Sequence, residues 1–387
     1  MKRGEDAMKR ILPGATIGIL GGGQLGRMMA MAARSLGYRI LVLDPDPACP
    51  ARFVVDECIE AGWDDTVAAA NLARACDVVT LEIEQISIDS LNAAARFAPV
   101  RPGAAMLAII QNRIEQKQWL VRNGFPVGEF RAVHAGDELC AAVTALGGRC
   151  FVKSAEGGYD GRSQVKIGFG SAARDAEIQE AWGLLGQKPC VAEAALELEK
   201  EISVMVARSP DGEVKVFPAA LNYHEAQILA WSVIPAPVSS SIAEEAAAIA
   251  ESIADTFQLE GLLAIEFFIT KDGRLLVNEL APRPHNSYHA SERACVTSQF
   301  EQAVRAVCNL PLGDVQVVQP AAIVNLLGDL WLDGHTKFDE ALAIPGVRLH
   351  LYEKQRPRKG RKMGHLSAIG ATPEEAVKRV LEAKRRL

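Results

Sequence analysis

Over the first hundred positions, short apolar runs alternate with stretches of helical composition. Residues 16–20 read as a buried strand, 38–43 as a second and 77–84 as a third. Between and after them, 27–36, 65–75 and 87–97 read as helices, the first ending at Gly37, a suitable residue to close a helix. Strand and helix in alternation, with short connections, predict a parallel sheet with helices on its faces. Two prolines and a glycine at 99–103 mark a boundary, and one long helix is expected over 106–122, ending at Asn123-Gly124-Phe125-Pro126. From 130 to about 320 the pattern changes. Strands now come as hairpins turning at Asp211-Gly212 and Asp272-Gly273, interrupted by helices such as 242–257, which predicts an α+β region with antiparallel sheet. The last segment holds three short strands (321–327, 347–353, 364–369) and a charged helix opening at Thr372-Pro373-Glu374.

At roughly 150 residues per domain, 387 residues predict two or three domains. Apolar residues at 49% and charged residues at 23% exclude a disordered or fibrous chain. A net charge of −6 argues against non-specific nucleic-acid binding, which needs a basic surface, but leaves room for a local basic pocket. The eight cysteines are scattered without a C-x-x-C pair, the pattern of reduced thiols rather than a disulfide framework or zinc knuckle. The charged start has no apolar signal region, and the longest uncharged window, 228–243, contains two prolines and four serines. The expectation is a cytoplasmic protein without a membrane span.

Four clusters carry chemistry. Gly21-x-Gly23-x-x-Gly26 follows the first strand and opens a helix, where glycine amides can face an anion; Asp44, closing the second strand, could take a ribose hydroxyl. Alone, this fits either a dinucleotide site or a tight packing turn. In the segment 151–164, a strand delivers Lys153 and a glycine-rich loop follows it. Loop glycines let amides approach a ligand, and the lysine suits a phosphate chain, although a Walker A lysine would follow its glycines.

The third cluster is a hairpin. If Asp272-Gly273 is a two-residue loop, positions summing to 545 face each other: Ile265 with Leu280, Phe268 with Val277, Ile269 with Leu276, and Glu266 with Glu279. Two carboxylates about 5 Å apart on an apolar ribbon repel, and a hard divalent cation carried by nucleotide phosphates would make them compatible. A shared proton or a different register would also account for the pattern. Beyond the hairpin, Arg283, His285, Asn286 and Ser287 make a dense set of hydrogen-bonding groups stiffened by two prolines. Fourth, the basic run Lys354, Arg356, Arg358, Lys359, Arg361 and Lys362 reads as a solvated loop or as an anion clamp.

These blocks, in this order, resemble the ATP-grasp superfamily, and within it the N5-carboxyaminoimidazole ribonucleotide synthetases. The resemblance rests on Gly23-Gln24-Leu25-Gly26-Arg27-Met28, Lys117-Gln118, Gly157-Gly158-Tyr159-Asp160-Gly161-Arg162, the run from Asn278 to Ser287, and Gly360-Arg361-Lys362-Met363-Gly364-His365, and spans about 14–370. It implies a Rossmann-like N-terminal (pre-ATP-grasp) domain (14–105, after a leader at 1–13), an ATP-grasp domain in two lobes (106–188 and 189–320) and a small C-terminal domain (321–387). The implied reaction joins bicarbonate to 5-aminoimidazole ribonucleotide with cleavage of ATP, through carboxyphosphate, using Mg2+, in a homodimer.

The resemblance assigns ATP to Arg113, Lys153, Gly158, Tyr159, Asp160, Gly161, Arg162, Ser163, Gln164, Glu193, Ala194, Ala195, Leu196, Glu201, His224, Asn278 and Glu279. The ribonucleotide falls to Gln24, Leu25, Glu82, Tyr159, Asp160, Arg162, Arg283, His285, Asn286, Ser287, Lys354 and Arg361. Metal goes to Glu266 and Glu279, and the catalytic set is Lys153, Asp160, Arg162, Arg283 and His285. Ser163 departs from the glycine usual in the family's loop, and Glu156 is an unusual acid at the loop entrance that could pair with Arg162 or be solvated. Competing readings are another ATP-grasp ligase using formate, glycine or biotin, a nicotinamide-dependent oxidoreductase, and a non-catalytic nucleotide sensor.

Overall fold

A computed structural model describes residues 9–157, 164–170, 175–332, 334 and 336–387. Its N-terminal unit is a four-stranded parallel sheet, in the spatial order Glu57–Glu60, Arg39–Asp44, Thr16–Leu20, Val78–Leu81. Helices Gln24–Ser35, Thr66–Arg74 and Ile88–Ala94 pack on it, the last two capped by the side chains of Asp65 and Ser87 on free backbone amides of the first turn. Thr16–Leu20, Arg39–Asp44 and Val78–Leu81 are buried along nearly all their length, which is why they read as uninterrupted apolar runs. Glu57–Glu60, at one end of the sheet with an exposed glutamate at each of its own ends, departs from that pattern.

The single helix expected over 106–122 is two helices, Ala104–Gln111 and Arg113–Arg122. Asn112 stands between them with extended backbone, and its side-chain oxygen accepts from the amides of Ile114 and Glu115 at 3.0 and 3.2 Å. A short amide side chain competing for backbone donors restarts the helix at the next residue. The break puts Arg113 in the first turn of the new helix and Lys117 one turn later on the same face.

Strands Phe130–Val133, Cys190–Ala194, Cys150–Ser154 and Gln164–Ile167 form a second, antiparallel sheet in that spatial order. It carries Lys153 and Glu193, and packs through Val152, Ile167 and Cys190 on Leu139, Val143 and Ile178. The third sheet has nine antiparallel strands. Its path runs Leu275–Ala281, Gly261–Thr270, Leu198–Arg208, Ala220–Glu225, Ile228–Ile234, Ala321–Leu327, Lys362–Ile369, Val347–Leu351, with Val214–Val216 also pairing to Leu198–Arg208. The strands after residue 320 therefore extend the central sheet, joined where Trp231 pairs with Val324. The closing helix Pro373–Arg385, capped by Thr372, packs across them through Ala376, Val380 and Ala383. No helix among the described residues is long and apolar enough to cross a membrane.

The acidic hairpin differs from its expected register near the turn. Thr270 donates its amide to Arg274 at 3.0 Å, so Lys271-Asp272-Gly273 is a three-residue loop, with Gly273 at φ +84. Phe268 therefore pairs with Leu276 and Ile269 with Leu275, each one residue away from the expected partner. A bulge after Glu266, with Asn278 as the extra residue, restores the offset. Ile265 then faces Leu280 and Glu266 faces Glu279, as expected.

Candidate active site

Between the four-stranded antiparallel sheet and the nine-stranded sheet lies a cavity of about 430 Å³. Arg113, Lys117, Lys153, Gln164, Glu193, Ala194, Leu196, Glu201, His224, Glu266, Asn278, Glu279, Arg283, His285 and Asn286 all line it. Most of the residues predicted to meet a nucleotide and a metal are therefore brought to one cleft from three separate structural units. Ala195 is near it in sequence but does not line it. Gly158, Tyr159, Asp160, Gly161, Arg162 and Ser163 lie outside the described residues. At the loop entrance, Glu156 accepts from Asn112 Nδ2 at 3.1 Å, and Arg113 donates to the carbonyls of Ser154 and Gly157 at 3.1 and 2.9 Å.

At the back of the cleft, Glu193 takes one lysine on each oxygen. Lys153 Nζ is 2.8 Å from Oε2 and Lys117 Nζ is 3.5 Å from Oε1. Burial alone would raise this carboxyl, but the two ammonium groups outweigh it and hold its pKa down at about 2. Burial lowers the Lys117 pKa, and the Glu193 charge works against that shift. Lys117 was legible only as part of a matching string; its i+4 spacing from Arg113 on one helix face was the signal that it belongs in the site.

At the front, Glu266 and Glu279 face each other across adjacent strands. Glu266 is raised to about 7, first by burial and then by the Glu279 charge. Glu279 is half-exposed, with Arg113 Nη2 3.8 Å away. Asn278 Nδ2 donates to Glu266 at 3.4 Å, and His285 Nε2 stands 3.5 Å from its other oxygen. The His285 ring is fixed by Ser287 Oγ at 2.8 Å from Nδ1, and burial together with Arg283 and Lys362 depresses its pKa well below the usual range, leaving a neutral imidazole. His224 Nδ1 lies 2.8 Å from Glu201; burial opposes its charge, but Glu201 raises its pKa. Two carboxylates facing each other across adjacent strands, set beside lysine and arginine, have the chemistry that suits a metal–polyphosphate rather than a hydride carrier.

A second cluster adjoins Arg283. The Arg283 Nε is 2.7 Å from Glu84, a partner that sequence reasoning missed although it stands two residues from Glu82 on the same chain segment. Asn286 is buried at the cavity wall, and neither its side-chain oxygen nor its NH2 has a hydrogen-bond partner among the described residues, so one acceptor and one donor are left unsatisfied there. Ser287 is fully buried and bonds Ser203 Oγ at 2.8 Å; it supports His285 and does not line the cavity. Lys354 donates to Gln24, and Arg27 bridges to Glu353 at 3.0 Å, which ties the basic segment to the N-terminal unit. Arg361 donates to the Arg356 carbonyl at 2.8 Å. Leu25 belongs to the core.

The glycine amides of the turn are occupied from within the protein. Glu82, 6% exposed, accepts from Gly23 at 2.7 Å and from Gly26 at 2.9 Å. Asp44, 5% exposed, accepts from Gly22 at 2.7 Å and from Asp46 at 2.8 Å. A Cβ on Gly23 would sit 2.5 Å from Glu82 Oε1, so the glycine is needed for this internal carboxylate. The amides of Gly22, Gly23 and Gly26 are thus engaged by internal carboxylates, and Asp44 is sealed away from any ribose. The glycines and Asp44, on which the nicotinamide reading leans, therefore serve the turn's own packing.

Comparison with known proteins bears on the family and the fold. Family models match the "Ribonucleotide synthetase preATP-grasp domain" over 14–111, the "ATP-grasp domain" over 118–300 and the "Phosphoribosylaminoimidazole carboxylase C-terminal domain" over 321–379. An N5-carboxyaminoimidazole ribonucleotide synthase from Brucella melitensis is 42% identical over 357 residues, covering 92% of this chain and 97% of its own. The ADP complex of an N5-carboxyaminoimidazole ribonucleotide synthetase superposes with a TM-score of 0.91 at 41% identity, over 97% of this chain and 98% of its own. The Aspergillus clavatus synthase, in complex with ADP and 5-aminoimidazole ribonucleotide, gives a TM-score of 0.87 at 30% identity, over 96% of this chain and 99% of its own.

Proposed function

The chain belongs to the N5-carboxyaminoimidazole ribonucleotide synthase family of ATP-grasp ligases, and we propose that its two adjoining clusters divide the work between nucleotide and ribonucleotide. The reaction is the ATP-dependent carboxylation of 5-aminoimidazole ribonucleotide in purine synthesis. Bicarbonate is a weak electrophile, so its oxygen first attacks the γ-phosphorus of ATP and ADP leaves. The resulting carboxyphosphate then meets the 5-amino group, the new C–N bond forms, phosphate departs and the amine gives up a proton. The protein's share is positioning, charge neutralisation and exclusion of water.

In this reading Arg113 and Lys153 hold the phosphates, the 193–196 strand end faces adenine, and Glu201, with His224 against it, meets the ribose. Glu266 and Glu279, with Asn278 beside them, would hold Mg2+, which supplies charge neutralisation along the phosphate chain. The donor set fits: Glu266 is driven toward its protonated form by burial and by its neighbour, the strain a cation relieves. Arg283, oriented by Glu84, neutral His285 and the unpartnered Asn286 amide face the ribonucleotide and the carboxyl group to be transferred. Lys354 and Arg361 serve its phosphate, near Gln24 and the Glu82-filled turn. Gly158, Tyr159, Asp160, Gly161, Arg162 and Ser163 complete the nucleotide and substrate contacts of this proposal. Domain limits at 14–105, 106–320 and 321–387, a homodimer and a cytoplasmic location belong to the same reading.

The observation that carries the proposal is the direct pairing of Glu266 with Glu279 inside a cleft that also holds Lys153 and Arg113. The test is phosphate release with each substrate omitted in turn. Turnover should require both 5-aminoimidazole ribonucleotide and bicarbonate; turnover with glycine, formate or biotin instead would overturn it, and ATP binding without turnover under any combination would leave only a sensor.

A further inference from the structure

Lys117 is 5% exposed, in the middle of Arg113–Arg122, and its ammonium faces a carboxylate that already has a lysine. Two cations on one buried anion is an arrangement that a stability argument alone does not explain, since burying the extra charge is costly. It makes sense if one of the cations must leave. Lys153 is the nearer, at 2.8 Å, and it projects from the strand Cys150–Ser154 into the same cavity as Arg113 and Glu279. When phosphate oxygens draw Lys153 toward them, its contact with Glu193 weakens. Glu193 would then be a lone buried carboxylate unless a second cation stays behind. Lys117 contacts the other oxygen, Oε1, and can remain there while Oε2 is vacated.

We propose that Lys117 is a positioning residue for nucleotide binding: it keeps Glu193 neutralised while Lys153 transfers from that carboxylate to the nucleotide phosphates. The trio carries a net charge of +1, so Lys153 offers an uncancelled charge to an incoming polyphosphate. With Lys117 removed, Lys153 and Glu193 become a closed neutral pair, and binding has to break the only ion pair of a buried anion. This inference rests on the assignment of Lys153 to the phosphates, and the experiment separates the two.

The measurement is the Kd for MgADP by calorimetry on the full chain. Wild-type protein should bind; if it does not, the assignment of the cleft falls, and this inference with it. Lys117→Met should weaken binding by about tenfold or more, because a buried charge loses its remaining partner. In the Glu193→Gln background no carboxylate is left to neutralise, so Lys117→Met added to Glu193→Gln should change the Kd by less than about threefold. That pair also keeps the test decisive if Lys117→Met alone does not fold. A single Lys117→Met variant that binds as wild type does, or a tenfold loss that persists in the Glu193→Gln background, would overturn the proposal. The second result would mean that Lys117 touches the nucleotide itself.

Discussion

Replacing Glu279 by Gln should make the ligand-free protein more stable near neutral pH while crippling its turnover. Glu266 has its pKa raised from an ordinary 4.5 to about 7. A carboxyl whose folded-state pKa lies above its unfolded value favours the fold when protonated, so that contribution is full below pH 4.5 and is lost as pH rises to 7. At 1.36 kcal/mol per unit, the swing for Glu266 is about 3 kcal/mol. Burial is the larger cause and Glu279 the second. Two charges about 5 Å apart at an effective dielectric of 20 repel by about 3 kcal/mol, and the half-exposed position of Glu279 screens this to about 1 kcal/mol. Urea unfolding of ligand-free wild type and Glu279→Gln at pH 5 and pH 8 isolates the effect, since other titrating groups cancel in the difference. The variant should gain about 1 kcal/mol over wild type at pH 8 and nothing at pH 5. Its kcat should fall by about a hundredfold or more, because one ligand charge is lost from the metal site. A variant that is no more stable at pH 8, with near-normal turnover at saturating Mg2+, would refute the reasoning.

Three further outcomes are expected. Arg361→Ala should raise the KM for the ribonucleotide far more than the KM for ATP, and an equal rise in both would move that arginine out of the substrate site. Gly23→Ala places a Cβ 2.5 Å from Glu82 Oε1, so thermal unfolding should show a loss of about 1–3 kcal/mol, together with a raised ribonucleotide KM; an unchanged melting curve would contradict the internal-carboxylate account of the turn. Asn112→Ala removes the cap that restarts the helix before Arg113 and should cost about 1 kcal/mol in urea unfolding, with a weaker MgADP affinity; a variant as stable as wild type would mean that the break is set elsewhere.

What could be read from the chain, and what could not, divides along physical lines. Strands buried on both faces and helices with side-chain caps left a local signature, which is why 16–20, 38–43 and 321–327 stood out, the second lying one residue further on at Arg39–Asp44. The Glu266–Glu279 pairing was reached through a turn assigned one residue too short, offset by a bulge at Asn278 that local sequence does not announce. Asp-Gly favours a two-residue loop, but Thr270 competes by accepting the Arg274 amide at 3.0 Å on its hydroxyl and closing a longer one. The glycine fingerprint identified a turn correctly but not its occupant. That the anion is Glu82 depends on contacts more than fifty residues away, which no motif encodes. Glu84 and the role of Lys117 escape the sequence for the same reason, because they exist only through Arg283 and Glu193.

The most direct test of the central claim is proton release when MgADP binds at pH 6, read by calorimetry in two buffers of different ionisation enthalpy. If a nucleotide-borne cation is what allows Glu266 and Glu279 to coexist, Glu266 must shed its proton as the metal arrives, and wild type should release about one proton more than Glu266→Gln. Equal proton release from the two proteins, with equal affinity for MgADP, would contradict it.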